Sequence, residues 1–177
     1  MRAVIQRVAS ASVSVDGLVI SQISRGLMVL VGIGRDDTES DVLSITNKLL
    51  SLRVFSDPTD PAKMWKTSVK DVDGEILCVS QFTLMAETRK GSKPDFHNAM
   101  TTEQSRKLYE TFLDTLRRSY KPEKVQDGRF GAMMDITLTN EGPVTFTLDS
   151  RRFEYTPQPA GSTKEIKNQA SSDLIVR

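Results

Sequence analysis

Residues 75–84 read Glu-Ile-Leu-Cys-Val-Ser-Gln-Phe-Thr-Leu, and the rest of the fold is organised around this stretch. Its first half is a short apolar run, which is typical of a buried strand. Polar side chains begin at Ser80 and continue with Gln81 and Thr83. Polar groups at the end of a buried strand need hydrogen-bond partners. A single Ser or Thr usually bonds to neighbouring backbone, whereas three polar side chains this close together also fit the mouth of a pocket.

A second polar segment, residues 140–145, reads Asn-Glu-Gly-Pro-Val-Thr and joins two predicted strands, 133–139 and 144–149. A Gly-Pro pair between strands is usually a simple turn. Here Pro143 is followed at once by strand-forming residues. That arrangement also allows a cis Gly142-Pro143 peptide bond, because cis peptides are mainly a feature of proline.

The remaining pattern predicts a β-rich α/β domain of two packed, mostly antiparallel sheets that form a barrel-like core, flanked by about two helices. Asp16-Gly17 between two alternating runs indicates a hairpin. Thr38 and Asp41 form a capping box at the start of the first helix. The predicted strands are 3–9, 11–15, 18–23, 26–33, 53–55 and 75–79, and the predicted helices are 40–52 and 102–119. We expect the domain to span residues 1–155 and a disordered polar tail to follow from Thr156.

Composition restricts the class of protein. A length of 177 residues suits one domain with a sizeable core. The formal net charge of +1 means that a nucleic-acid partner must be held by a local patch. No stretch resembles a signal peptide or a membrane span. The single Cys78 excludes a disulfide scaffold and favours a reducing compartment. We therefore expect a soluble, cytoplasmic protein without membrane association.

The scarcity of reactive side chains restricts the chemistry. One cysteine cannot build a zinc cluster, and no metal or other cofactor is predicted. His97 is the one histidine and lies in a loop-like run, Lys-Pro-Asp-Phe-His, where a solvent-facing or capping role is more typical than a place in a Ser-His-Asp triad. An enzyme built from this sequence is expected to work without the usual general base.

The two polar segments resemble the signature motifs of the D-aminoacyl-tRNA deacylases of the D-tyrosyl-tRNA deacylase family. Ser80-Gln81-Phe82-Thr83-Leu84 matches one motif, and Asn140-Glu141-Gly142-Pro143-Val144-Thr145 matches the other. The flanking segments 4–8, 93–96 and 127–132 are similar as well. Either motif alone would be weak, but both occur in order and without departure. The resemblance runs from Met1 to about Asp149.

The resemblance implies a homodimer with active sites at the dimer interface and a tRNA partner, bound through its 3′-terminal aminoacyl-adenosine. The implied reaction is hydrolysis of the ester between a D-amino acid and that terminal ribose, which removes wrong-handed residues before translation. If selection works by a clash with the L side chain, glycyl-tRNA is expected to be hydrolysed as well. Backbone N–H groups near Phe82 and Thr83 would stabilise the oxyanion. The implied catalytic residues are Ser80, Gln81, Phe82 and Thr83, and the implied substrate-binding residues are Arg7, Phe96, Gly142 and Pro143.

Several alternatives remain open from the sequence. Thr83 acts as a nucleophile or positions water, or else the 2′-hydroxyl of the terminal adenosine assists; the second is favoured because Thr83 has no evident base. The loop 87–98, with Arg89, Lys93 and Phe96, is a nucleic-acid contact or an ordinary solvated loop. A catalytically inactive nucleic-acid-binding or adaptor protein is the main alternative function. A general esterase is disfavoured because a Gly-x-Ser-x-Gly elbow is missing.

Overall fold

Strand β1 (Arg2–Val15) joins all parts of the sheet in the computed structural model, which describes residues 1–89 and 91–151. It pairs antiparallel with β3 (Gly26–Gly32) over its first half and with β2 (Leu18–Ile23) over its second. Asp16 and Gly17, both with positive φ, form the predicted hairpin between β1 and β2. The predicted tail from Thr156 lies outside the described residues.

Two further strands extend the sheet in the parallel direction. β4 (Glu75–Ser80) pairs with β3, and β5 (Val125–Asp127) pairs with β4. β6 (Asp135–Asp149) pairs antiparallel with both halves of β1. The order β2-β1-β3-β4-β5, with β6 on β1, forms one continuous, nearly closed sheet, because β1 and β6 are long enough to belong to both predicted layers. The prediction of a β-rich, barrel-like domain with two helices is confirmed.

Alternation along β3 and β4 creates two cores, as expected for strands that are buried on both faces. One face packs against the helices and the other fills the curved sheet. The helix-side cluster includes Leu27, Val29, Val31, Ile76 and Cys78. The inner cluster includes Val8, Val13, Met28, Leu77 and Val79.

The two predicted helices are present, α1 (Glu39–Ser51) and α2 (Thr102–Ser119), and they contact each other on the outer face of the sheet. The predicted capping box opens α1, where the Thr38 N–H donates to Asp41 Oδ2 at 2.8 Å. α2 buries Tyr109, Phe112 and Leu116 along one stripe, and these side chains belong to the helix-side cluster.

β6 is one continuous strand, whereas two strands were predicted, one on either side of Gly142-Pro143. Its register against β1 jumps between the pairs Gln6↔Thr145 and Val8↔Asn140, so residues 141–144 bulge opposite Arg7. The Gly142-Pro143 peptide is cis. The strand therefore continues through the second motif and presents it as a bulge rather than as a hairpin turn.

Candidate active site

The polar segment after β4 forms a short 3₁₀ turn, Phe82–Met85. The Gln81 N–H donates to the Val31 carbonyl at 2.7 Å, which ties the start of the turn to the neighbouring strand. The first N–H groups of a helix have no acceptor within it. At this turn they belong to Phe82 and Thr83, so two neighbouring backbone donors are available to a ligand oxygen.

The close approach of β3 to this turn depends on Gly32. A Cβ at this position would lie 2.7 Å from Leu84 Cβ and 3.0 Å from the Gln81 carbonyl oxygen. Arg2 holds the other end of the turn, since its Nη1 donates to the Leu84 carbonyl at 3.0 Å while its Nε donates to Asp149 at 3.0 Å. Neither residue was predicted as part of the site, because each acts on the backbone of a distant segment.

A cleft of about 590 Å³ opens beside the turn. Its lining is mainly apolar, with a few hydroxyl and amide groups, which is the usual character of a small-molecule site. Ser80, Gln81 and Phe82 form one side of it, and Phe130 and Gly131 lie in the loop that forms another. Of the three polar residues expected at the mouth of a pocket, Ser80 and Gln81 line this cleft, whereas Thr83 is not among its lining residues. Further lining residues are Val31, Ile33, Val79, Met100, Ser105 and Met134.

Two aromatic rings meet at the entrance to this region. Phe82 is 58% exposed, and Phe96 is 37% exposed. Their ring centroids lie 5.0 Å apart in an edge-to-face arrangement. Large exposed rings of this kind offer a surface on which a nucleic-acid base can stack.

Thr83 has a hydrogen-bond partner but no base. Gln81 Nε2 donates to Thr83 Oγ1 at 2.6 Å, and within residues 1–89 and 91–151 no acidic or imidazole group bonds to that hydroxyl. His97 is exposed and its Nδ1 lies 2.8 Å from Asp95. Burial raises the pKa of the Cys78 thiol, so this cysteine is not a thiolate nucleophile. The side chains described here supply no Ser-His or Cys-His pair to the turn.

Arg7 is a buried residue that hydrogen-bonds to the backbone of the second motif. It is 8% exposed, its Nε donates to the Glu141 carbonyl at 3.0 Å, and its Nη1 donates to the Val54 carbonyl at 2.5 Å. The Glu141 carboxylate lies 3.5 Å from Arg7 Nε and 3.2 Å from Arg25 Nε. Buried charge-assisted hydrogen bonds of this kind fix backbone direction strongly.

Asn140 fixes the bulge from the other side. Its Oδ1 accepts from the Val144 N–H at 2.7 Å, and its Nδ2 donates to the Val144 carbonyl at 3.3 Å. One side chain thus bridges the strand across Gly142-Pro143. Asn140 belongs to the motif, but its role as a bridge was not predicted, since only the register jump places Val144 opposite it.

The two motifs lie apart within one chain. The 3₁₀ turn contacts the Arg2 end of β1, whereas Gly142 lies beside Arg7, and five residues of strand separate these positions by about 17 Å. Among the predicted site residues, Ser80, Gln81, Phe82, Thr83 and Phe96 therefore form one group. Arg7, Gly142 and Pro143 form a second group.

Neither α1 nor α2 combines the length and apolar character that a membrane crossing requires. Across residues 1–89 and 91–151, no three His, Cys, Asp or Glu side chains converge as ligands for a metal ion.

Comparison with known proteins identifies the class to which this fold and this pair of motifs belong. The family model for D-Tyr-tRNA(Tyr) deacylase matches residues 4–149. The D-aminoacyl-tRNA deacylase of Dictyostelium discoideum is 56% identical over 85% of this chain and 99% of its own length. The Saccharomyces cerevisiae protein of the same name is 53% identical over 85% of this chain and 99% of its own. The chain belongs to the D-Tyr-tRNA(Tyr) deacylase family.

Solved structures share the fold. A structure named c-Myc DNA Unwinding Element Binding Protein matches with a TM-score of 0.81 and 51% identity, over 84% of this chain and 98% of that chain. A second, described as a probable eukaryotic D-amino acid tRNA deacylase, matches with a TM-score of 0.72 over 83% of this chain and 97% of that chain. Its sequence identity is 20%, so it supports the fold alone.

Proposed function

We infer that this protein hydrolyses the ester that links a D-amino acid to the 3′-terminal ribose of tRNA, releasing the free amino acid and the tRNA. The observation that carries this inference is the pair of available N–H donors at Phe82 and Thr83, placed at a cleft in a member of the deacylase family. The activity would remove wrong-handed residues before translation, in the cytoplasm, where aminoacyl-tRNA is used.

The cleft has the size and chemistry for the terminal adenosine. A nucleoside offers an apolar face and a polar edge, and the cleft pairs apolar residues with the Ser80 hydroxyl and the Gln81 carboxamide. The exposed rings of Phe82 and Phe96 suit stacking on a neighbouring base. With the nucleoside seated here, the 3′-ester would lie at the 3₁₀ turn.

The chemistry required at that turn is modest, because an aminoacyl ester is already activated. As water adds to the carbonyl carbon, negative charge develops on the carbonyl oxygen. Preorganised backbone N–H groups stabilise that charge without reorganising during the reaction. The Phe82 and Thr83 N–H groups are suited to this role.

Two routes for the attacking water are compatible with these residues. In one, the Thr83 hydroxyl either attacks the ester carbonyl itself or positions the attacking water. In the other, the 2′-hydroxyl of the terminal ribose assists. The second is favoured, because the hydrogen-bond partner of Thr83 Oγ1 is the Gln81 amide, which is not a base.

Selection against L-residues is assigned to Gly142-Pro143. Loss of contact in an apolar pocket discriminates by only about 1–3 kcal/mol. A rigid backbone that clashes with the L side chain discriminates more strongly. The hydrogen bond that Arg7 donates to the Glu141 carbonyl and the one that Asn140 accepts from the Val144 N–H supply the rigidity on both sides of this dipeptide.

The separation of the two motifs supports a homodimer. Since about 17 Å of strand lies between them in one chain, Gly142-Pro143 would reach the 3₁₀ turn of a second copy rather than its own. Each active site would then lie at the dimer interface and contain residues from both copies.

Mixed dimers test this arrangement. A variant impaired at Phe82 is combined with a variant impaired at Gly142 by unfolding and refolding the two together. If each site uses both copies, random pairing restores about a quarter of the wild-type activity, because half of the dimers are mixed and each has one intact site. Activity that stays at the level of the separate variants would show that each site uses one copy.

The activity itself is tested with matched D- and L-aminoacyl-tRNA, by measuring the amino acid released. Cleavage of the D-substrate alone supports the proposed function. Cleavage of both would indicate a less selective esterase.

A second candidate function is a nucleic-acid-binding or adaptor protein without catalytic activity. The observation that favours it is the 51% identity to a structure whose name describes binding to a DNA unwinding element. Under this alternative, neither D- nor L-aminoacyl-tRNA would be cleaved, while binding of DNA would persist. The same assay, run beside a DNA-binding measurement, separates the two functions.

A further inference from the structure

One cation at the rim of the cleft lacks the carboxylate partner that its neighbours have. On α2, Lys107 pairs with Glu103 at 3.1 Å, and Arg117 pairs with Asp127 at 3.0 Å. Arg106 is exposed and has no carboxylate partner in the part of the chain that the structure describes. An exposed Arg without an ion pair keeps its donors available for a ligand.

The guanidinium of Arg106 is nevertheless held in place. Its Cζ lies 4.7 Å from the centroid of the Phe130 ring, in a cation–π contact. Its Nη2 lies 3.8 Å from the position that a Cβ on Gly131 would occupy. Phe130, Gly131 and Ser105, the residue before Arg106, all line the cleft. The charge is therefore fixed beside the cleft.

Arg129, next to Phe130 in the chain, adds a second cation. Arg129 directly precedes Phe130, is exposed, and likewise has no carboxylate partner among the described residues. Arg106 thus contacts one aromatic residue of the cleft lining, and Arg129 precedes that residue in the chain. Planar guanidinium groups match the geometry of phosphate oxygens, and an aromatic lining with adjacent cations is the usual way in which single-stranded nucleic acid is bound.

We propose that Arg106, together with Arg129, binds the phosphodiester that joins the terminal adenosine of tRNA to the preceding nucleotide. The proposal rests on the proposed function, in which the terminal nucleoside occupies the cleft. The ester leaves the ribose on its 3′ side, towards Ser80–Thr83, and the phosphate leaves on its 5′ side. The side lined by Ser105, Phe130 and Gly131 carries the Arg106 guanidinium, a cation that this phosphate needs.

The test compares two substrates that differ in this phosphate. One is D-aminoacyl-tRNA, and the other is 3′-O-(D-aminoacyl)adenosine, which has no phosphate. For Arg106→Gln we expect KM for the tRNA to rise about tenfold, with kcat and cleavage of the nucleoside substrate close to wild type. Arg129→Gln should behave similarly, and Arg106→Lys should recover part of the loss.

Arg118→Gln is the matched control. Arg118 is exposed, lies on the same helix and has no carboxylate partner among residues 1–89 and 91–151, but twelve residues of helix place it about 18 Å from Arg106. This variant loses the same charge and should retain wild-type KM. Binding of uncharged tRNA should fall for Arg106→Gln and not for Arg118→Gln. In Arg106→Gln, the slope of log affinity against log salt concentration should become shallower by about 0.7.

Three results would overturn the proposal. Equal losses on both substrates would mean that Arg106 supports the Phe130 ring rather than a phosphate. Equal losses for Arg106→Gln and Arg118→Gln would mean diffuse electrostatic attraction, and unchanged KM and tRNA binding in Arg106→Gln would remove the subsite. Failure of the proposed function would give a different result from failure of the Arg106 proposal. Wild-type protein would then cleave neither substrate, whereas the specific effect of Arg106→Gln on tRNA binding would remain.

Discussion

Arg7 lies so close to Gly142 that a Cβ on Gly142 would be 3.2 Å from Arg7 Nη2. The same Cβ would lie 2.7 Å from Val144 Cγ2, and the φ of Gly142 is +139°, a conformation that L side chains rarely adopt. Glycine is therefore required at this position for two independent reasons.

Gly142→Ala should lower kcat/KM for D-aminoacyl-tRNA by at least tenfold while the domain remains folded. The strain should cost about 1–3 kcal/mol of stability. Thermal unfolding and steady-state kinetics measure the two effects separately. Gly17→Ala is the control, because Gly17 also has a positive φ but a Cβ there would meet nothing within 4 Å. Similar activity losses in both variants would argue against a specific role for Gly142.

Phe82→Pro tests the oxyanion donors. Phe82 is the first residue of the 3₁₀ turn, where proline fits the backbone and its missing N–H costs no helix hydrogen bond. Removing one oxyanion donor typically lowers kcat by about 10²–10³-fold. Phe82→Ala keeps the N–H and loses only the ring, so it should retain a much larger kcat. If the two variants have equal kcat, the Phe82 N–H does not stabilise the transition state.

Thr83→Ala should retain much of the activity, because Thr83 Oγ1 accepts a hydrogen bond from Gln81 and has no base beside it among the described residues. A D-aminoacyl-tRNA ending in 2′-deoxyadenosine should be cleaved far more slowly than the normal substrate. Single-turnover rates on both substrates decide between the two routes. An inactive alanine variant, combined with normal cleavage of the deoxy substrate, would make Thr83 the catalytic group.

The sequence predicted local features well where nearby residues determine them. The capping box of Thr38 and Asp41, the Asp16-Gly17 hairpin and the span of α2 all depend on residues within a few positions of each other. The continuity of β1 was missed because Ala9 and Ser10 are exposed at a register shift in mid-strand, so the apolar alternation is interrupted there.

Features that depend on distant contacts could not be predicted from the sequence. The two hydrogen bonds of Arg7 join residues that are 47 and 134 positions away, and no local pattern specifies them. The same limit applies to the separation of the motifs. Both occur in the sequence as candidate parts of one site, and only the pairing of β1 with β3 and β6 shows that one chain keeps them apart.

Asp41 should make the stability of the fold sensitive to acid. Burial acts to raise its pKa, but hydrogen bonds from Ser150 and Thr38 and the nearby amino group of Met1 outweigh burial, so the pKa lies below the ordinary value of 3.8. A lowered pKa in the folded state gives stability that is present above pH 3.8 and is lost as the pH falls through the folded pKa.

Asp41→Asn should therefore be less stable than wild type at pH 7, by about 1–2 kcal/mol for the loss of a charged cap. The difference should narrow as the pH is lowered below 4. Urea unfolding between pH 7 and pH 3 measures it. Asp114→Asn, at an exposed position of α2, is the control and should follow the wild-type curve. A constant difference at every pH would mean that the carboxylate charge does not contribute.

Glycine is the substrate that tests whether Gly142-Pro143 selects by steric exclusion. If Gly142-Pro143 selects by clashing with an L side chain, a residue whose side chain is a hydrogen atom cannot be rejected in this way. Glycyl-tRNA should therefore be hydrolysed by the purified protein, and a competing partner that binds correctly charged glycyl-tRNA would be needed to protect it. L-alanyl-tRNA is the matched control, since it adds one methyl group on the excluded side and should remain intact.

Cleavage of glycyl-tRNA distinguishes two mechanisms by which the protein could select a D-residue. Steric exclusion needs no contact with the D side chain, whereas recognition by attraction requires that contact and would leave glycine bound weakly. Released glycine is measured over a range of enzyme concentrations beside a D-aminoacyl-tRNA standard. Cleavage of the D-substrate, together with intact glycyl-tRNA at the highest enzyme concentration, would mean that positive contacts to the D side chain make the selection. Gly142-Pro143 would then have to act by some means other than exclusion.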